Sequence, residues 1–176
     1  NNLYRLSNKT DYPMLSSNQV SGGFLYHHKN LTVELDSYYK RLNGLTTYTS
    51  GFSNPLANLE KGKSTIKGID ILVKKRWRDY RLWAGYTYND IEFEFPTLAQ
   101  QKFPGNNDIT HSFRISNTLK VDQWQFSLGW QFRTGEPVTP IDNVENIPDP
   151  APETPGATIP VVTYGDINSH RLPNYH

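Results

Sequence analysis

Five histidines, His27, His28, His111, His170 and His176, are the first places where this chain could do chemistry. Imidazoles at the spacing of His-Glu-x-x-His would hold zinc, and none of the five has that spacing. His27 and His28 fall beside a tight polar turn, which suits an interfacial pair better than a ligand pair. Glu92 and Glu94 share one face of an extended segment at i and i+2. Two carboxyls flanking a sugar linkage would make a glycosidase, but retaining and inverting enzymes need separations that adjacent same-face positions seldom supply. Solvated residues at a strand end are the plainer reading. Ser, His and Asp occur without Gly-x-Ser-x-Gly, and no glycine-rich phosphate loop is present. The expectation is therefore a chain without catalytic residues, metal site or cofactor.

Other charges are ordered rather than clustered. Asp70, Arg81, Arg114 and Arg133 each lie opposite a row of apolar side chains, so strands must position them. The clearest case is a hairpin over 63–89. Ile69, Ile71 and Val73 alternate with Gly68, Asp70, Leu72 and Lys74. After a polar reversal at Arg78 and Asp79, Tyr80, Leu82, Ala84, Tyr86 and Tyr88 alternate with Arg81, Trp83, Gly85, Thr87 and Asn89. One face is aliphatic and aromatic, and the other is polar.

The same period predicts a strand over 19–26, a turn at 28–30 and a strand over 31–42. A further pair places Phe113, Ile115, Leu119 and Val121 on one arm and Trp124, Phe126, Leu128, Trp130 and Phe132 on the other, joined at Asp122 and Gln123. After Asn89 the parity changes, with Glu92 and Glu94 in register with the apolar row, which predicts a bulge or an exit into a loop. Polar, Gly- or Pro-rich stretches predict loops over 1–17, 43–62, 96–107 and 136–166. No helix of useful length is readable.

The 176 residues carry a net charge of +1, so nucleic acid is not an expected partner. Aromatics make up 13% of the chain, and 11 of them are Tyr, which favours strands and membrane interfaces over helices. Cysteine is absent, which removes disulfides and thiolate metal sites. No apolar run reaches the roughly 18 residues of a transmembrane helix. The mean hydropathy of −0.66 does not argue against a membrane barrel, whose alternation dilutes the lipid-facing residues. The first residue is Asn1 and no leader is readable, so a partial barrel domain over 1–176, without plug or signal peptide, is expected.

Short reversals within hairpins and long connections between them place all the tight turns at one end. That asymmetry, with charges confined to the polar face, predicts an all-β fold: about six antiparallel strands of an up-and-down transmembrane barrel. Asp70, Arg81, Arg114 and Arg133 would face the lumen. Trp77, Tyr80 and Trp124, near the short turns, would form an interfacial girdle, with core packing as the competing reading. A soluble β-sandwich binding a ligand such as carbohydrate also alternates, but accounts less well for the loop asymmetry. A glycoside hydrolase would need Glu92 or Glu94.

Three stretches carry a resemblance. Phe103-Pro104-Gly105-Asn106-Asn107-Asp108-Ile109-Thr110-His111, Thr134-Gly135-Glu136-Pro137-Val138-Thr139-Pro140 and Asn168-Ser169-His170-Arg171-Leu172-Pro173-Asn174-Tyr175-His176 resemble the barrel region of TonB-dependent outer-membrane receptors, in their Bacteroidota-type form. Lys67-Gly68-Ile69-Asp70 is similar to a strand start of that family, and Trp124-Gln125-Phe126-Ser127-Leu128, between the first two stretches, belongs to the same resemblance. The resemblance implies a segment of a barrel of about 22 strands with a plugged lumen. It implies location in the outer membrane of a Gram-negative bacterium and import of a scarce nutrient such as a ferric siderophore. The implied partners are outer-membrane lipid, the remaining barrel and plug in cis, TonB and an extracellular small-molecule ligand. Asp108 and His111 match a loop-to-strand junction, where a structural hydrogen bond is expected before substrate contact.

Overall fold

The computed structural model describes residues 13–48, 59–148, 156 and 158–175. Its main sheet is antiparallel and follows chain order. β1 (Ser16–His28) pairs with β2 (Leu31–Tyr48), β2 with β3 (Leu59–Trp77), and β3 with β4 (Tyr80–Glu94). β4 then pairs with β6 (His111–Val121), and β6 with β7 (Trp124–Arg133). A short β5 (Phe103–Pro104) adds to β4. Up-and-down order follows from the two-residue turns, which leave no chain for a crossover. Their first residues, Lys29, Arg78 and Asp122, have φ of 48, 34 and 52°.

The register keeps the predicted parity across the sheet, apart from a shift between Asn43 and Leu45 where β2 pairs with β3. Phe24, Leu35, Ile71, Tyr86, Phe113 and Phe132 are successive partners on one face. Gly23, Asp36, Asp70, Thr87, Ser112 and Arg133 are successive partners on the other. The apolar face has no second layer among the described residues: Trp124, Phe126 and Leu128 are 71%, 59% and 70% exposed. This is an open segment of barrel wall rather than a sandwich.

Several expected boundaries are corrected. The expected loop over 43–62 is strand at both ends, with β2 reaching Tyr48 and β3 starting at Leu59; residues 49–58 lie outside the described residues. The predicted bulge after Asn89 is absent, because β3 and β4 stay in one register from Trp77–Tyr80 to Lys63–Glu94. What changes there is the environment. β3 has 19 residues, while a strand crosses a bilayer in about 9–11. The outer face there turns polar, carrying Lys67, Asp90, Glu92 and Glu94. Lys67 there bonds Asp90 at 3.0 Å. The inner face beyond this level becomes aromatic instead. Phe93, Phe95 and Phe103 pack with centroids 6.1–6.2 Å apart. Gly62 lies beneath them, since a Cβ there would meet the Phe95 ring at 2.4 Å.

The expected loop over 136–166 is also partly ordered as strand. β8 (Pro137–Val138) pairs with β11 (His170–Arg171), and β9 (Ile141–Pro148) pairs with β10 (Thr158–Tyr164). Proline is tolerated because both strands of a two-stranded ribbon are edges. The expected loop over 1–17 ends at β1, and residues 1–12 lie outside the described residues.

Candidate functional site

On the polar face the strands bring Asp70, Arg114 and Arg133 to one concavity of about 470 Å³, also lined by Tyr38, Thr87 and Gln131. Their positions follow from register: Asp70 faces Thr87 across the β3–β4 pair, and Ser112 faces Arg133 across the β6–β7 pair. The Thr87 hydroxyl donates to Asp70 Oδ1 at 2.6 Å, and Tyr38 donates to Asn89 Oδ1 at 3.2 Å. Arg133 pairs with Glu136 at 3.6 Å and lies over the Tyr175 ring at 4.6 Å. Arg81 is not part of this group. It lines a separate space of about 410 Å³ beside the short turns.

The three stretches of sequence singled out above meet in space at the opposite end. Asp108 is buried, and each of its carboxylate oxygens is used. Oδ1 accepts from the Ile91 amide at 3.0 Å, while Oδ2 accepts from Thr110 at 3.2 Å and from Arg171 Nη2 at 2.5 Å. Arg171 Nη1 donates to the carbonyls of Asp108 at 2.7 Å and Gly135 at 3.1 Å. Asn168 is also buried, and its Nδ2 donates to the Pro104 carbonyl and to Asn106 Oδ1, both at 2.7 Å. A left-handed φ of 55° at Asn168 turns the chain back toward β11. Tyr175 then exchanges backbone hydrogen bonds of 2.9 Å with Arg133, on the outer edge of β7.

Asp108 and His111 do not bond each other. The His111 ring meets the Tyr86 hydroxyl through Nδ1 at 2.9 Å, and its amide donates to Thr134 Oγ1 at 3.1 Å. Arg171 and Asn168 are the residues that sequence reasoning missed as partners. Their stretch was quoted, but nothing local names a partner more than 60 residues away.

At the short-turn end, Trp77 and Tyr80 are cross-strand partners with ring centroids 5.5 Å apart, and the Tyr80 hydroxyl donates to Asn117 Oδ1. Trp124 opens β7 opposite Val121. All three belong to the outward row. Glu92 forms an ion pair with Lys102 at 3.7 Å, and Glu94 is the register partner of Lys63. Among the described residues, no group of three His, Cys, Asp or Glu is placed to hold a metal ion. His27 bonds Thr32 at 2.9 Å and His170 bonds Ser169 at 3.2 Å, while His176 lies outside the described residues.

What the arrangement offers is non-covalent: a hydrogen-bonding inner wall, an apolar outer wall and a braced set of connections at one end. No curated protein and no solved structure matches the chain. A family model, TonB dependent receptor-like, beta-barrel, matches residues 2–167. With that match over most of its length, and with the open antiparallel wall described above, the chain belongs to the TonB-dependent receptor β-barrel family, outer-membrane receptors and transporters of Gram-negative bacteria.

Proposed function

We propose that this chain is part of the barrel wall of an importer that brings a scarce nutrient across the outer membrane, with a ferric siderophore as the case to test first. One observation carries the reading. The outward row, culminating in Trp124, Phe126 and Leu128, is exposed along the back of a polar, concave face. In water this row of exposed large apolar side chains would be unfavourable, whereas acyl chains match it.

In this reading the polar face borders the lumen, with Asp70, Arg114 and Arg133 along its wall and a plug in cis inside it. Trp77, Tyr80 and Trp124 lie at the periplasmic headgroup level, where amphipathic rings are favoured. Asp108, Arg171 and Asn168 brace the extracellular connections that meet the ligand. His111 supports the same junction through its hydrogen bonds. TonB supplies energy to the plug, and no covalent step falls to the wall.

The test uses the full-length receptor in its own membrane. It should extract only into detergent and support growth on ferric siderophore as the iron source, with growth lost when TonB is deleted. A receptor that partitions into buffer overturns the membrane reading. Uptake that continues without TonB overturns the energised mechanism.

A further inference from the structure

The outward face ends differently at its two boundaries. Along β3 the outward row runs Trp77, Lys75, Val73, Ile71 and Ile69, and then Lys67, Thr65 and Lys63. On β2 it runs from Leu35 through Ser37 and Tyr39 to Arg41, the register partner of Thr65. Arg41 therefore stands diagonally between Lys63 and Lys67 across the strand pair, within reach of both. All three cations are exposed. Their neighbours at the same level on β1, Ser16, Asn18 and Val20, carry no charge. The acids at this level stand on β4: Asp90 pairs with Lys67 at 3.0 Å, Glu92 pairs with Lys102 at 3.7 Å, and Glu94 is the register partner of Lys63. Among the described residues neither Arg41 nor Lys63 forms an ion pair.

The short-turn boundary of the same face is aromatic instead. Lys75 there lies over the Trp77 ring at 5.6 Å, and Tyr26 stacks with His28 on β1. Only the far boundary is cationic, and its occupant must match what lies next to it. The apolar row of Leu35, Ile69 and Ile71 leads directly into Lys67 and Arg41 on one face. One molecule with a hydrocarbon part and an anionic head fits both, whereas a free ion fits only the second. Arg41 is level with Thr65, four residues and about 13 Å beyond Ile69 along the strand. Its aliphatic stem can lie back toward the apolar row while the guanidinium stays among headgroups. Guanidinium forks hold phosphate oxygens in pairs, and an ammonium adds a point charge. A depression of about 260 Å³ opens at Lys61 and Lys63, with Glu94, Pro13 and Pro96 also lining it, and gives room for part of a headgroup.

We propose that Arg41 and Lys63, with Lys67 at their edge, seat the phosphate-bearing head of a lipid in the leaflet away from the short turns, its acyl chains lying along Leu35, Ile69 and Ile71. The proposal rests on the outward row meeting acyl chains, as the importer reading has it, and adds a lipid class at a defined place. The carboxylates confined to β4 limit the seat to β2 and β3, because a phosphate beside Glu92 and Glu94 is repelled. Contacts to the head weaken as salt rises, whereas the acyl contacts do not.

The experiment is native mass spectrometry of the full-length receptor, purified in detergent and incubated with the phosphorylated glycolipid of its own outer membrane, before and after enzymatic removal of the phosphates. The wild type should retain the phosphorylated form about fivefold or more over the phosphate-free form. R41Q/K63Q should lose that preference and R41K/K63R should keep it. K75Q, on the same face at the short-turn end, should leave it unchanged. Equal retention of the two lipid forms by the wild type, or an unchanged preference in R41Q/K63Q, overturns the proposal. Displacement of the lipid by inorganic phosphate, but not by chloride at equal ionic strength, also overturns it and assigns the site to a free anion. Detergent extraction and TonB-dependent growth, measured alongside, stay intact if only the seat is wrong, whereas extraction into buffer removes the membrane reading itself.

Discussion

Arg171 brings Nη2 to 2.5 Å from Oδ2 of Asp108, a residue 63 positions earlier, and the carboxylate it meets is 4% exposed. The pair joins the connection between β4 and β6 to the segment that returns from β10 toward β7. Removing Arg171 leaves a buried carboxylate with only the Ile91 amide and Thr110 hydroxyl as donors. R171A should cost about 3 kcal/mol, the lower end of the range for breaking a buried pair, because the guanidinium keeps some water. Denaturant unfolding of the purified receptor checks it. D108N combined with R171A should cost less than the sum of the two singles.

Asn168 separates two effects that a single substitution would mix. N168A loses both side-chain hydrogen bonds and places a Cβ-bearing residue without a local polar partner at φ 55°, for a cost of about 2–3 kcal/mol. N168G loses the same bonds but accepts the backbone, so its cost should be smaller by about 1 kcal/mol. Amide hydrogen exchange over 103–110 reports the difference directly. Equal exchange in the two variants would mean that the side chain alone holds this connection.

The two faces of β7 should respond in opposite ways to the same charge. L128R puts a guanidinium in the middle of the outward row and should cost about 2–4 kcal/mol if that row meets lipid near mid-bilayer. S127R, one residue earlier and on the inner face, should cost less than 1 kcal/mol. The yield of folded receptor in the outer membrane, read by heat-modifiable mobility, compares them. Similar yields would contradict the assignment of faces.

Two glycines test how closely the backbones approach. A Cβ on Gly135 would lie 1.8 Å from the Leu172 carbonyl oxygen, whereas Gly22 has nothing within 4 Å. G135A must therefore push β11 away from β8 and should destabilise by about 1–3 kcal/mol. G22A should be neutral within about 0.5 kcal/mol. Thermal unfolding of the two variants side by side is the measurement.

The strands, their faces and their short turns were legible in the residues because each is a local property. Whether Ile71 or Asp70 lies on the apolar face is set by its own side chain and by the period of two, so alternation records the answer position by position. The same reading failed after Asn89, where parity continued but the outer face turned polar and the inner face aromatic. It failed again over 136–166, where prolines conceal a ribbon whose strands are both edges. Tertiary structure alone decided that Asp108 answers to Arg171, that Asn168 holds Pro104 and Asn106, and that Arg81 stands apart from Arg114 and Arg133. Those partners lie on different strands and connections, and a contact closed across dozens of residues leaves no periodic trace. Its free energy depends on where folding brings the chain, not on what stands beside each residue in sequence.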